Sequence, residues 1–385
     1  MQSDKKILFD GRFLSLSHAG IGRYSCELLK HLLPLDEDQK FILLIRRGAT
    51  LDPDLLKAMN ERKNPVEVIE TDIGHYSIKE QTSLPALIRS LHPCLVHFPH
   101  FSHPILYRGD FVVTIHDLTL SQFAERGNSL KRRGYYYVIK NAAKKSRRVL
   151  TVSQFVNDQL VEEFDLPKDK VVTTYNAIDD KFKKITNPRV LKRVEKYGLS
   201  KPYILSVGQW RSHKNLPALI EAFALIVKQQ AWKDKIELVF VGREDQKYPD
   251  LKNKINELKL NKYVKFTGFV SDEDLPIIYN GATVFAFPSF SEGFGLPGLE
   301  AQACGIPLVS SNRTCMPEIY GKGALYFNPS NIVDISQKIL EVLEDRELRD
   351  GLIRSGLENA KKYTWSKTAQ KTLEVYREIL YKKLS

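Results

Sequence analysis

Short, wholly apolar runs rich in β-branched residues alternate with longer stretches of helical periodicity along the whole chain. The pattern predicts strands over 6–10, 41–45, 95–98, 111–115 and 148–152, and again over 203–207, 237–241, 264–267, 284–287 and 307–310. Helical spacing of apolar residues marks 22–33, 215–228, 251–260 and 331–343. Strands that are apolar on both faces and separated by helices belong to parallel sheets covered on both sides, so the fold class is α/β. The pattern runs twice. It breaks between Lys181 and Lys201, a stretch with eight basic residues, one acid, Pro188 and no strand signal. This predicts a first Rossmann-like domain over 1–180, a basic interdomain linker over 181–201 and a second domain over 202–364. A last segment, 365–385, carries Ala369, Leu373, Tyr376, Ile379 and Leu380 at helical spacing, which suits packing on either half.

Composition narrows the class. With 385 residues, 43% apolar and 27% charged, the chain sits near the globular average, which excludes wholesale disorder, a collagen repeat or a disulfide-knot scaffold. Its 58 Lys and Arg against 46 Asp and Glu give +12, a balance that raises nucleic acid, anionic membrane or phosphorylated small molecules as partners. The first residues, Met1 to Lys6, lead into Ile7, Leu8 and Phe9 and then a charge, without the apolar centre of a secretory signal. No window holds the roughly 18 consecutive apolar residues of a membrane span, so any membrane contact is expected to be peripheral. Cys26, Cys94, Cys304 and Cys315 are scattered without a C-x-x-C pair, which fits free thiols in a reducing cytoplasm.

The richest chemistry lies in the segment from Phe287 to Ala301. It follows an apolar strand and precedes an apolar helix, which places it at a strand's carboxyl end, where open α/β sheets bind ligands. Pro297 suits a first helical turn, so the helix should start near Leu296 and present free N–H groups to a phosphate. Gly293 and Gly295 allow close backbone approach, and Glu292 and Glu300 bracket the turn, one on the loop and one in the first helical turn. Acceptors on both sides of a phosphate seat suit a sugar nucleotide. A Gly-rich turn with an ordinary helix-start glutamate is the plain structural alternative.

Four further signals accompany it. Gly208 to Asn215 follows the first strand of the second half and carries Arg211, His213 and Lys214, cations able to stabilise a departing diphosphate at the same sheet edge; a solvated polar turn is the alternative. His18 to Tyr24 contains Gly20 and Gly22, but Ser25 stands where the third glycine of a dinucleotide loop belongs, which argues against a nicotinamide cofactor. His116 closes the strand at 111–115 and is placed to donate to a substrate hydroxyl, or to serve as a structural histidine. His97, His100 and His103 form H-x-x-H-x-x-H, but interleaved Phe98, Pro99, Phe101 and Pro104 speak against a shared metal face. The D-x-D strings at Asp36, Asp52 and Asp272 fall in polar turns or helix starts, and no metal or other cofactor is expected.

Taken together, these motifs resemble the retaining glycosyltransferases of family four. The resemblance rests on Ser291-Glu292-Gly293-Phe294-Gly295-Leu296-Pro297 with Glu300, on Val207-Gly208 with His213-Lys214-Asn215-Leu216, on Gly20-Ile21-Gly22-Arg23-Tyr24, and on Ile115-His116-Asp117-Leu118. Tyr175-Asn176-Ala177-Ile178-Asp179 and Met316-Pro317-Glu318 match in order, so it covers nearly the whole chain. It implies a GT-B fold, two Rossmann-like doubly wound domains facing across a cleft, with the C-terminal helix crossing back to the first. It implies Glu300 on the donor's ribose, and Lys214 with Arg211 on the diphosphate. Glu292 with the backbone of Gly293, Phe294 and Gly295 would hold the donor sugar, His116 would reach that sugar, and the Gly20–Gly22 loop would approach phosphate or acceptor. The base would lie near Gly242-Arg243 and Gly268-Phe269-Val270, and Gly208 and Leu296 would also line the nucleotide sugar. The family often has a basic residue directly after the strand glycine or before the lysine; here Gln209 and His213 stand there, so Arg211 is expected to supply that cation.

The expected activity is therefore hexose transfer with retention, closest in flavour to mannosyltransferases using GDP-mannose to build surface polysaccharide or lipopolysaccharide. A UDP-sugar transferase, a sugar-nucleotide epimerase, a phosphorylase and a non-catalytic scaffold are the other readings. The excess charge is local: nine basic residues and no acid lie from Arg126 to Arg148, and the stretch at 181–201 adds eight basic residues against one acid, so the rest of the chain is net acidic. With Tyr135, Tyr136 and Tyr137 interleaved, the first suits an anionic membrane surface near a lipid-linked acceptor. No nucleic-acid motif accompanies the charge.

Overall fold

The computed structural model describes residues 5–14, 20–119, 129–242 and 250–381. The chain forms two compact units, Met1–Ala177 with Thr364–Ser385, and Ile178–Tyr363.

The first unit is built on seven strands: β1 (Lys6–Asp10), β2 (Lys40–Arg46), β3 (Glu67–Thr71), β4 (Leu95–Phe98), β5 (Phe111–Ile115), β6 (Arg148–Thr151) and β7 (Val171–Thr173). They lie in the order β3-β2-β1-β4-β5-β6-β7, all parallel. Successive side chains of a strand point to opposite faces, so each strand feeds two cores. Ile7 and Phe9 of β1 pack with the helix Ile21–Leu32 and with Trp365, Ala369, Leu373 and Tyr376 of the helix Trp365–Tyr381. Leu8 packs on the other side with the helices Ile78–Ser90, Ser129–Lys145 and Gln154–Phe164. The terminal helix is tied down by polar contacts as well: Thr368 Oγ1 donates to Tyr175 O at 2.6 Å, and Arg148 pairs with Glu378 at 2.6 Å.

The second unit holds six strands: β8 (Tyr203–Val207), β9 (Glu237–Val241), β10 (Val264–Gly268), β11 (Val284–Phe287), β12 (Leu308–Ser311) and β13 (Ala324–Phe327). Their order is β10-β9-β8-β11-β12-β13, again parallel throughout. The helices Leu216–Val227 and Ile332–Glu344 pack on one face around Phe223, Leu238, Phe240 and Ile339.

Three strands escape the hydrophobic pattern, β3, β7 and β13, and each is a sheet edge. An edge strand is covered by a neighbour on one side only, so its sequence is freer. In β3, Glu67, Val68 and Glu70 are exposed, which erases the continuous apolar run.

The stretch read as a linker from Lys181 to Lys201 belongs instead to the second unit. It forms a short helix, Pro188–Leu191, and a 3₁₀ turn, Lys192–Tyr197, strapped to Asp274 at the start of the helix Leu275–Gly281. Arg193 and Tyr197 donate to that carboxylate at 2.6 and 2.8 Å, and Lys196 donates as well. The Lys196 hydrogen bond leads in holding the Asp274 carboxyl down to about 2. The basic residues have an acidic partner far along the chain, which local composition does not reveal.

In both sheets the strand order reverses once, between β1 and β4 and between β8 and β11. Ligands of open α/β sheets sit at such switch points, outside the carboxyl ends of the strands.

Candidate active site

At the switch point of the second sheet, two loops leave side by side. The one after β8 runs from Gly208 to Asn215, and the one after β11 from Pro288 to Gly295. Three contacts fix them to each other. Phe290 N donates to His213 O at 2.7 Å, Asn215 Nδ2 donates to Pro288 O at 3.2 Å, and Lys214 Nζ meets Glu292 Oε1 at 2.6 Å. Asn215 adopts a left-handed conformation, φ 54°, and also donates to Pro329 O at 2.8 Å. Asn tolerates that region better than most side chains, and its amide then serves as a staple.

Lys214 and Glu292 are the charged centre of this edge. Their side chains are only 17% and 12% exposed, and the Lys214 ammonium lies 5.6 Å from the centre of the Phe287 ring. Glu292 is positioned through its backbone: its N–H donates to Thr314 Oγ1 at 3.2 Å, and its carbonyl accepts from Cys315 Sγ at 3.2 Å. Arg211 stands exposed at the outer end of the same loop.

The helix Leu296–Ala303 begins where Pro297 predicts, after Gly295 in a left-handed conformation with φ 84° and without a side-chain cap. The first N–H groups of a helix have no partner within it, and here Gly295 supplies no side-chain cap to them. Gly295 has a second reason to be glycine besides ligand approach. A Cβ there would lie 2.2 Å from the hydroxyl of Tyr320, a fully buried ring whose hydroxyl donates to Gly295 O at 2.6 Å. Gly298 is under the same constraint, since a Cβ there would meet that ring at 2.5 Å. Tyr320 thus sets the height of the helix start from below. Phe294 points its ring inward, 4% exposed and edge-on to Tyr363.

Glu300 is the fifth residue of this helix, so it lies in the second turn and not the first. It is 7% exposed, and one of its oxygens accepts from the Tyr279 hydroxyl at 2.8 Å. Burial, reinforced by the Glu300 carboxylate, pushes the Tyr279 phenol well above its ordinary value, which keeps it a donor. Gly208 and Gly242 end β8 and β9 in close contact: Gly208 N donates to Val241 O at 2.9 Å, and a Cβ on Gly242 would fall 2.1 Å from Gly208 O. Phe269 is 73% exposed just after β10, while Val270 is buried. Strands lie about 4.8 Å apart, so β10 ends about 10 Å from β8 and offers room for a base beyond the phosphate edge. Arg243 lies outside the described residues, as do His18 and Ala19.

In the first unit, Gly20 caps the helix Ile21–Leu32 with φ 70° and no side-chain cap, and Gly22 is buried in its first turn. His116 follows β5 and packs edge-on against Tyr24 at 4.7 Å. Its Nε2 lies 2.9 Å from Pro99 O. A carbonyl only accepts, so Nε2 carries the proton. Burial holds the ring below its ordinary pKa, which leaves it neutral with Nδ1 as an acceptor. In this state the ring donates to Pro99 O and Nδ1 is its accepting nitrogen. The three histidines of the H-x-x-H-x-x-H run have separate protein partners. His97 sits between Thr114 and Tyr376, His103 between Phe101 O and Asn141, and His100 accepts from Ser102 N.

Several positioning residues carry no sequence signal. Tyr279, Thr314 and Tyr320 act through contacts with distant segments, and only Asn215, an Asn directly ahead of a helix, has a local signature.

A doubly wound pair of parallel sheets, with a Gly-rich helix start and a lysine–glutamate pair at a switch point, is the architecture of a GT-B glycosyltransferase. Residues 19–182 match the model of Glycosyltransferase Family 4, and residues 190–359 match that of Glycosyl transferases group 1. The chain belongs to this family of glycosyltransferases. It is similar to the O-antigen chain mannosyltransferase B of Escherichia coli, 29% identical over 97% of this chain and 99% of that protein. A serotype-specific mannosyltransferase WbdA of Escherichia coli is 30% identical over 60% of this chain, which spans 29% of that longer protein. The sucrose-phosphate synthase of Thermosynechococcus elongatus shares the fold, with a TM-score of 0.75 over 98% of this chain and 99% of that one at 18% identity. Among the described residues, no helix is long and apolar enough to cross a membrane.

Proposed function

We propose that the enzyme transfers mannose from GDP-mannose to a glycan or lipid-linked oligosaccharide of a surface polysaccharide, with retention of anomeric configuration and without a metal. The observation that carries this reading is the Lys214–Glu292 pair at 2.6 Å beside the uncapped start of the helix Leu296–Ala303. The name and near-complete coverage of the Escherichia coli O-antigen relative support the choice of sugar and acceptor.

The pair suggests how the site works. With no donor, each charge neutralises the other. A bound diphosphate competes for Lys214, and the released Glu292 carboxylate is then an acceptor for hydroxyls of the donor sugar. Lys214, Arg211 and the helix N-terminus stabilise charge growing on the leaving phosphate oxygen. The bond from the anomeric carbon to that oxygen breaks, and the bond to the acceptor oxygen forms on the same face. The acceptor's proton passes to the departing phosphate oxygen, so no protein nucleophile is required. Glu300 takes the ribose hydroxyls, the backbone of Gly293, Phe294, Gly295 and Leu296 lines the sugar and phosphate, and Phe269 and Val270 border the base. In the first unit, His116 and the helix start at Gly20 and Gly22 serve the substrate hydroxyls.

The enzyme is expected to work at the cytoplasmic membrane surface. The described part of the stretch from Arg126 to Arg148 exposes Lys131, Arg132, Arg133, Lys144 and Lys145 on one helix, which suits anionic lipid. Binding to phosphatidylglycerol vesicles that fails to fall with salt would count against this.

A panel of GDP- and UDP-sugars in the presence of EDTA tests the activity. Transfer from GDP-mannose to an α-linked product is the expected result. Transfer only from UDP-sugars, an inverted product, or loss of transfer with EDTA would each overturn part of the reading.

A further inference from the structure

At the carboxyl end of β1, by the switch point of the first sheet, lies a buried ionic cluster. Arg12 is fully buried and donates to Asp10 at 2.7 Å and to Glu80 at 2.9 Å. Burial would raise both carboxyls, but Arg12 with His75 at Asp10, and His75 with Arg12 at Glu80, more than offset it and hold both below their ordinary values. Glu80 in turn accepts from Ser102 Oγ at 3.0 Å and from the backbone N–H of Tyr76 at 2.8 Å.

Tyr76 is the outlier at this place. Its φ of 56° puts an aromatic residue in the left-handed region, and its side chain is nevertheless among the exposed ones, at 55%. Such a conformation costs about 1–2 kcal/mol in a residue with a Cβ and persists only where surrounding structure imposes it. Here the buried carboxylate imposes it. The ring is held at the mouth of a cavity of about 440 Å³, within the range of small-molecule sites. Phe101 and Tyr135 line the same cavity, with ring centres 6.4 and 6.0 Å from that of Tyr76. Lys131 adds a cation to the wall, and Gln81 braces the loop, accepting from Ile105 N at 2.8 Å and donating to His103 O at 3.3 Å.

Aromatic faces carry partial negative charge and attract the C–H face of a pyranose, while an ammonium group meets its hydroxyls. A wall of aromatic rings with one cation suits a neutral sugar ring better than a phosphate-bearing lipid head. We propose that this cavity is a subsite for a sugar ring of the acceptor glycan, stacked on one of the two perpendicular rings, Tyr76 and Tyr135, and bordered by the other, away from the reacting hydroxyl. The assignment rests on the reading that the enzyme extends a glycan. Tyr76 and Tyr135 are then specificity residues, and Asp10, Arg12 and Glu80 are positioning residues that act through the Tyr76 backbone.

The test is calorimetric and NMR titration of the full chain with trisaccharides of mannose, galactose and N-acetylglucosamine, without donor. At least one should bind, with affinity reduced tenfold or more by Tyr76→Ala and by Tyr135→Ala and retained by Tyr76→Phe. Tyr76→Gly relieves the backbone, so it should melt above Tyr76→Ala while binding equally poorly. Binding by none of the three, or binding indifferent to both tyrosines, overturns the proposal. So does Tyr76-dependent binding of phosphatidylglycerol vesicles in the absence of trisaccharide binding, which would assign the cavity to lipid. Because no donor is present, an incorrect donor assignment leaves the titration unaffected.

Discussion

Removing Lys214 separates what the ion pair does for the fold from what it does for catalysis. At 2.6 Å, with both side chains more than four-fifths buried, the pair has a gross attraction of about 6 kcal/mol at an effective dielectric of about 20, much of it offset by desolvation. Lys214→Ala leaves the Glu292 carboxylate in place without that cation. A loss of about 1–3 kcal/mol in stability is expected, the usual scale for a stranded charge-assisted hydrogen bond. Adding Glu292→Gln removes the stranded charge and should return part of that stability. Catalysis should respond differently. A missing cation at a leaving group is comparable to a missing oxyanion donor, worth about 10²–10³ in kcat, and the double variant should recover none of it. The assay is urea unfolding alongside steady-state kinetics for wild type, both single variants and the double variant. Turnover that recovers together with stability would make Lys214 a structural residue, and near-normal turnover in Lys214→Ala would remove it from the mechanism.

Other consequences follow from the packing. Gly298→Ala would ordinarily strengthen a helix, but its Cβ would lie 2.5 Å from the Tyr320 ring, so a loss of about 1–3 kcal/mol is expected, read as a lower Tm; a higher Tm would refute the role given to Tyr320. Arg12→Met leaves Asp10 and Glu80 buried without their guanidinium and should cost about 3–5 kcal/mol at pH 7 by chemical denaturation. Both carboxyls have folded pKa values below their unfolded values near 4, so their contribution is present above that pH and is lost as pH falls through the folded values. The gap between Arg12→Met and wild type should therefore narrow on acidification below pH 5; a gap independent of pH would mean the cluster is not ionised as described.

Most of the fold was legible because buried parallel strands write a continuous apolar run. The strands the pattern missed, β3, β7 and β13, are edges where one side is uncovered and the sequence is free to carry charge. The site was legible where chemistry is local. Glu292, Gly295, Pro297 and Lys214 stand on two short loops whose positions after strands reveal the sheet edge. What supports them was not legible, because Tyr320 under Gly298, Thr314 against Glu292 and Tyr279 on Glu300 meet only in the folded chain. The stretch from Lys181 to Lys201 shows the same limit in reverse. Its charge looked like a linker because its partner, Asp274, lies far along the sequence. The strained Tyr76 has no local signal either, since its backbone is dictated by a carboxylate that Arg12 holds ionised.

A crystal structure of the full chain with bound GDP tests the central claim most directly. The diphosphate should lie within hydrogen-bonding reach of Lys214 Nζ and the first N–H groups of the helix Leu296–Ala303, with the ribose hydroxyls on Glu300 and the Lys214–Glu292 contact opened. A nucleotide bound elsewhere, or bound here with that ion pair still closed, would contradict it.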